Sequence, residues 1–138
     1  MYKIMIFNIK KRVCFCDTDA GGIVYHSKYL DFCEEARLEY FLKYNITQKD
    51  LWVKYNLMFV LKSCEVNYKT PAKAEDLLII SIEKCEINKL ITTIYQNVYR
   101  GDELLVECKI NLVAVQPNTL KLVRRLPEEV LQIIDVKK

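Results

Sequence analysis

The chain carries one histidine, one tryptophan, three glycines and three prolines in 138 residues. So little glycine and proline argues against long flexible linkers, and no repeat, low-complexity tract or composition break divides the sequence. It reads as one domain, residues 1–138, long enough to bury a core without staples. A net charge of +3, with its lysines and arginines scattered, is too weak to point to nucleic acid. No apolar run approaches the length of a membrane span, and the start from Met1 to Phe7 lacks a cleavage-site pattern, so a cytoplasmic location is expected. Cysteine is not scarce: six stand at 14, 16, 33, 64, 85 and 108. None forms a Cys-X-X-Cys pair and there is no histidine-rich segment, which argues against a zinc site. No metal is expected, and the thiols read as reduced, several of them as small core residues.

Residues 4–16 are rich in Ile, Phe, Val and Cys, with Val13 and Phe15 alternating against Cys14 and Cys16, which predicts a first strand. From Ser27 the period becomes helical. Leu30, Cys33, Arg37, Tyr40, Phe41 and Tyr44 form a stripe that Tyr29 and Ala36 widen, with Ser27 as N-cap and an end near Asn45. So broad a stripe predicts an enclosed helix. A short helix over Thr47–Val53 and four strands follow: Leu57–Tyr68, Leu77–Ile87, Leu90–Tyr99 and Leu104–Val115. Hairpin turns are expected at Asn88-Lys89 and Gly101-Asp102. In the first of these strands Met58, Val60, Cys64, Val66 and Tyr68 alternate as one face. Pro127-Glu128-Glu129 opens a final helix. One long helix and an antiparallel meander predict an α+β fold with the sheet wrapped around the helix.

The chemistry concentrates in Asp17-Thr18-Asp19-Ala20-Gly21-Gly22-Ile23-Val24-Tyr25-His26. Two carboxylates on a glycine turn lead straight into a helix start. A carboxylate can act as base or nucleophile toward a carbonyl, and free N–H groups at a helix start can hold the oxygen that becomes negative. The competing reading of Asp19 is a turn-stabilising aspartate, and of His26 a surface or capping histidine. Asp17 is expected to brace the loop. Cys33, about two turns from the only histidine, lacks a base and reads as core.

This run, with Tyr29 and Glu35-Ala36-Arg37 behind it, resembles the signature of hotdog-fold acyl-CoA thioesterases, in particular the YbgC-like branch of the 4-hydroxybenzoyl-CoA thioesterase family. Tyr68-Lys69-Thr70-Pro71-Ala72, Asp76 and Leu122 to Pro127 extend the likeness over nearly the whole chain. The resemblance implies a five- or six-stranded antiparallel sheet curled around one long central helix. It implies a homodimer or tetramer with the site at a subunit boundary, and hydrolysis of an acyl-CoA to free acid and CoA without any cofactor. Asp19 corresponds to the catalytic carboxylate, and His26 to the residue whose backbone N–H polarises the thioester carbonyl and whose side chain assists. Gly22, Val24, Tyr25 and Tyr29 are expected to surround the acyl group. Lys89, or Lys121, Arg124 and Arg125, are expected to hold the CoA phosphates. Where that branch commonly reads Tyr-Tyr-Glu, this sequence has Cys14, Phe15 and Cys16, so one tyrosine hydroxyl has no counterpart. Two rivals remain: a non-catalytic acyl-CoA or acyl-carrier binding module, partner to a membrane-associated complex, and a small nucleic-acid-binding β-protein, against which the weak charge argues.

Overall fold

Chain order in the structure, a computed structural model describing residues 5–135, is β1 (Phe7–Arg12), α1 (Lys28–Lys43), α2 (Gln48–Val53), β2 (Met58–Tyr68), β3 (Leu77–Ile82), β4 (Lys84–Asn88), β5 (Ile91–Arg100), β6 (Glu103–Val115) and α3 (Glu128–Ile134). All strand pairings are antiparallel, in the order β1-β3-β5-β6-β2, with β4 beside β5. The sheet curls around α1, whose Tyr29, Phe32, Cys33, Ala36 and Tyr40 are buried against Leu78, Ile80, Ile94, Val98, Cys108 and Ile110. This is the hotdog arrangement that the resemblance implies. Because directly paired residues of a sheet share a face, the register puts Ile94, Gln96 and Val98 of β5 beside Ile110, Cys108 and Val106 of β6. Among the described residues no helix is long and apolar enough to cross a membrane.

The helix ends as its sequence allows. Asn45 takes φ 61°, its N–H bonds the Leu42 carbonyl and the Ile46 N–H reaches back to Phe41, a Schellman closure. Thr47 and Asp50 cap α2 reciprocally. Ser27, expected to cap α1, does not: its backbone is already helical and its side chain makes no capping bond.

Three strand expectations need correction. The first strand stops at Arg12, because Asp17 Oδ2 accepts the Cys14 N–H at 2.9 Å and folds Phe15–Asp17 into a single 3₁₀ turn. Phe15 therefore points to solvent, 80% exposed, instead of sharing a buried face with Val13; residue 4 lies outside the described residues. The predicted strand over 77–87 is broken at Glu83 into β3 and β4, and the Glu83 N–H still bonds the Tyr95 carbonyl of β5. In β2 a bulge between Leu61 and Ser63 shifts the register. Phe59 and Leu61 before it, and Cys64, Val66 and Tyr68 after it, pair with the even-numbered helix-side residues of β6, so Met58 and Val60 belong to the other face.

Candidate active site

The segment from Asp17 to Tyr25 folds back on itself. Thr18 bridges Val24, the Tyr25 N–H bonds the Asp17 carbonyl, and the Asp19 N–H bonds the Ile23 carbonyl at 3.0 Å. At its tip the Gly22 N–H returns to the Asp19 carbonyl, and Asp19 Oδ1 accepts the Gly21 N–H at 2.8 Å. Asp at the first position of such a turn and a glycine at the fourth are the residues that this geometry favours. Gly22 needs its lack of a side chain, with φ at +79°. Gly21 has no such φ; a Cβ there would lie 3.2 Å from Asp19 Oδ1.

The hairpin docks on the segment after β2. Ile23 bridges Lys73, the Val24 N–H bonds the Ala72 carbonyl, and the Ala72 N–H donates to the buried Tyr29 hydroxyl at 3.0 Å. Asp76 holds that segment from behind, accepting the Lys73 N–H at 2.9 Å and the Arg100 guanidinium at 2.8 Å. Partial burial would raise the Asp76 pKa, but these donors outweigh it and leave the carboxyl below its usual range.

Between hairpin, helix start and the end of β2 lies a cleft of about 350 Å³ lined by Asp19, Val24, His26, Tyr29, Tyr68 and Lys69, among others. Asp19 and His26, 7 residues apart in sequence, thus share one cleft. At the helix start the Lys28 N–H bonds the Tyr25 carbonyl, whereas among the described residues no acceptor takes the N–H of His26, a lining residue, or of Ser27. The His26 carbonyl, part of the following His26–Ser27 peptide, accepts from Tyr68 Oη at 2.9 Å. Burial raises the pKa of the Tyr29 and Tyr68 hydroxyls, so both stay protonated.

Of the other expected site residues, Val24 and Tyr29 line the cleft. Gly22 shapes the turn, and Tyr25 packs against the outside of the His26 ring, centroids 4.3 Å apart. Lys89 is not brought to the cleft within one chain. It forms the β4–β5 turn beside Ile91, whereas Tyr68 aligns through β6 with Val98, roughly 20 Å further along β5 at strand rise. Asp17 braces the loop as expected, 6% exposed. Cys33 is a core thiol whose pKa is pushed up by its hydrogen bond with Cys108 and by burial. Tyr68 was missing from the expected site; its place at the start of the Tyr-Lys-Thr-Pro-Ala run was the available signal.

Fold and cleft together define a hotdog-type protein, and the comparisons agree. A model of the thioesterase-like superfamily matches residues 13–134, and the chain belongs to that superfamily. It is 36% identical over 124 residues to the acyl-CoA thioesterase YbgC of Haemophilus influenzae, covering 90% of each chain. It is 32% identical over 127 residues to the acyl-CoA thioester hydrolase YbgC of Escherichia coli O6:H1, covering 91% of this chain and 93% of that one. The crystal structure of a probable thioesterase from Bartonella henselae superposes with TM-score 0.80 at 29% identity, over 87% of this chain and 98% of that one.

Proposed function

We propose that this chain, acting as a single domain, hydrolyses acyl-CoA thioesters to a free acid and CoA. The observation that carries the reading is the shared cleft: Asp19, on a self-closed turn, and His26, whose N–H at the helix start has no acceptor among the described residues, line the same space. With the acyl carbonyl oxygen at the His26 N–H, attack on the carbon builds an oxyanion where backbone donors hold it without reorganising. Asp19 supplies the attack in one of two ways. As a base it takes a proton from water, and hydroxide adds to the carbon. As a nucleophile it forms a mixed anhydride that water then opens. Either way the C–S bond breaks, CoA leaves as a thiolate and takes up a proton, and no cofactor enters the sequence.

A single chain leaves Asp19 and His26 open to solvent, and Lys89 serves the phosphates only if another copy brings it near. The reading therefore includes a homodimer, or a tetramer built from it, with the cleft at the boundary.

Asp19→Asn and Asp19→Ala, assayed for thiol release on a panel of acyl-CoAs, test the assignment. The asparagine keeps an oxygen for the Gly21 N–H, so the turn survives, and kcat falls at least about a hundredfold. A folded Asn variant at near wild-type rate overturns it. Single turnover in ¹⁸O-water tests the nucleophilic route, since label enters Asp19 only when water opens an anhydride at the aspartyl carbonyl.

A further inference from the structure

The 3₁₀ turn that ended β1 too early also gathers three metal-competent side chains. Cys14 Sγ, Cys16 Sγ and an Asp17 carboxylate oxygen all lie within 4.8 Å of one another. The two thiols are exposed and the carboxylate is buried beneath them. We propose that Cys14, Cys16 and Asp17 form a binding site for a thiophilic divalent cation, zinc being the best fit.

The geometry is close to what such an ion asks for. Tetrahedral zinc, with bonds of about 2.3 Å to sulfur and about 2.0 Å to oxygen, places its ligand atoms roughly 3.5 Å apart. Cys16 Sγ is already 3.9 Å from Asp17 Oδ1, and the exposed Cys14 Sγ rests 3.9 Å from the Arg12 carbonyl. The second carboxylate oxygen, Oδ2, stays on the Cys14 N–H and fixes the orientation of the ligating one. Lys28 Nζ, 3.9 Å from Asp17 Oδ1, is a weak competitor for that oxygen and then offsets the surplus negative charge of two thiolates and a carboxylate around a divalent ion. Binding is redox-neutral: each thiol releases its proton to solvent as its sulfur–metal bond forms, and water fills the fourth position. The Cys-X-X-Cys spacing rule did not register this group, because one ligand is an aspartate and a tight turn, not a longer loop, brings the sulfurs together. An ion here clamps the base of the hairpin, since the Asp17 carbonyl also receives the Tyr25 N–H from the opposite arm.

The test uses the full chain, reduced and stripped with chelator, titrated with Co²⁺ and then with Zn²⁺. The expected result is one Co²⁺ per chain with thiolate-to-cobalt charge-transfer absorption, displaced by Zn²⁺, and a thermal midpoint raised by Zn²⁺. Cys14→Ser and Cys16→Ser each abolish the absorption, Asp17→Asn weakens binding about tenfold or more, and Cys64→Ser leaves it unchanged. Both cysteines of the turn are exposed, so their variants fold, which an unchanged metal-free melting curve verifies. Absence of the charge-transfer band, its persistence in the double serine variant, or formation of a Cys14–Cys16 disulfide with no metal uptake by the reduced chain would each overturn the proposal.

Discussion

Tyr68 Oη donates a 2.9 Å hydrogen bond to the carbonyl of His26, tying the last residue of β2 to the peptide that opens the central helix. The ring also packs against Tyr29, centroids 5.8 Å apart. Tyr68 thereby sets how the helix start is presented to the cleft.

Tyr68→Phe keeps the ring and removes only that donor. Because Tyr68 is half exposed, water replaces the bond and the melting point changes little. The His26–Ser27 peptide, one unit along from the His26 N–H, loosens, however, and kcat falls roughly tenfold, as small misplacements of catalytic groups do, with KM nearly constant. Steady-state kinetics on a well-turned-over acyl-CoA measure this; an unchanged kcat would sever Tyr68 from the oxyanion site.

The two adjacent glycines respond differently to alanine. At Gly22 a Cβ meets nothing within 4 Å but is strained by φ +79°, so Gly22→Ala costs about 1–2 kcal/mol of stability and leaves the rate of the remaining folded protein largely intact. At Gly21 the new Cβ presses on Asp19 Oδ1, so Gly21→Ala lowers kcat more than it lowers the melting temperature. Paired melting curves and kinetics separate them, and identical behaviour of the two variants contradicts the assignment.

Asp76 carries a pH signature. Its folded-state pKa lies below the unfolded value, so its stabilisation is complete above the ordinary carboxylate range and drains away as pH falls through the lowered value. Asp76→Asn loses the pairing with Arg100, partly exposed, and is less stable by about 1 kcal/mol at neutral pH. The gap to wild type closes in acid. Denaturant unfolding across pH shows it; a gap that persists below the acid range contradicts the linkage.

Much of the fold was legible because long-period signals dominate it. The stripe from Tyr29 to Tyr44 gave α1 nearly to the residue, and the short helix expected over Thr47–Val53 is α2. Two of the failures share a cause: a single side chain or a one-residue insertion overrode period. Asp17 capped Cys14 and cut the first strand, and one extra residue near Lys62 moved Met58 and Val60 to the other face. The candidate cleft was legible in part where it is contiguous: of the run from Asp17 to Tyr29, Asp19, Val24, His26 and Tyr29 line it, and Gly22 and Tyr25 do not. Tyr68 arrives from a strand whose register depends on that bulge, and the distance between Lys89 and the cleft is set by strand order. Neither is written in local pattern.

The turn at Asp19 closes through three hydrogen bonds among five consecutive residues. Its acid is therefore positioned by near neighbours in the chain more than by the sheet and helix behind it. Substitutions that drift through the distant core over evolutionary time should erode thermal resistance while sparing turnover, leaving the reactive tip and the scaffold able to change at separate tempos.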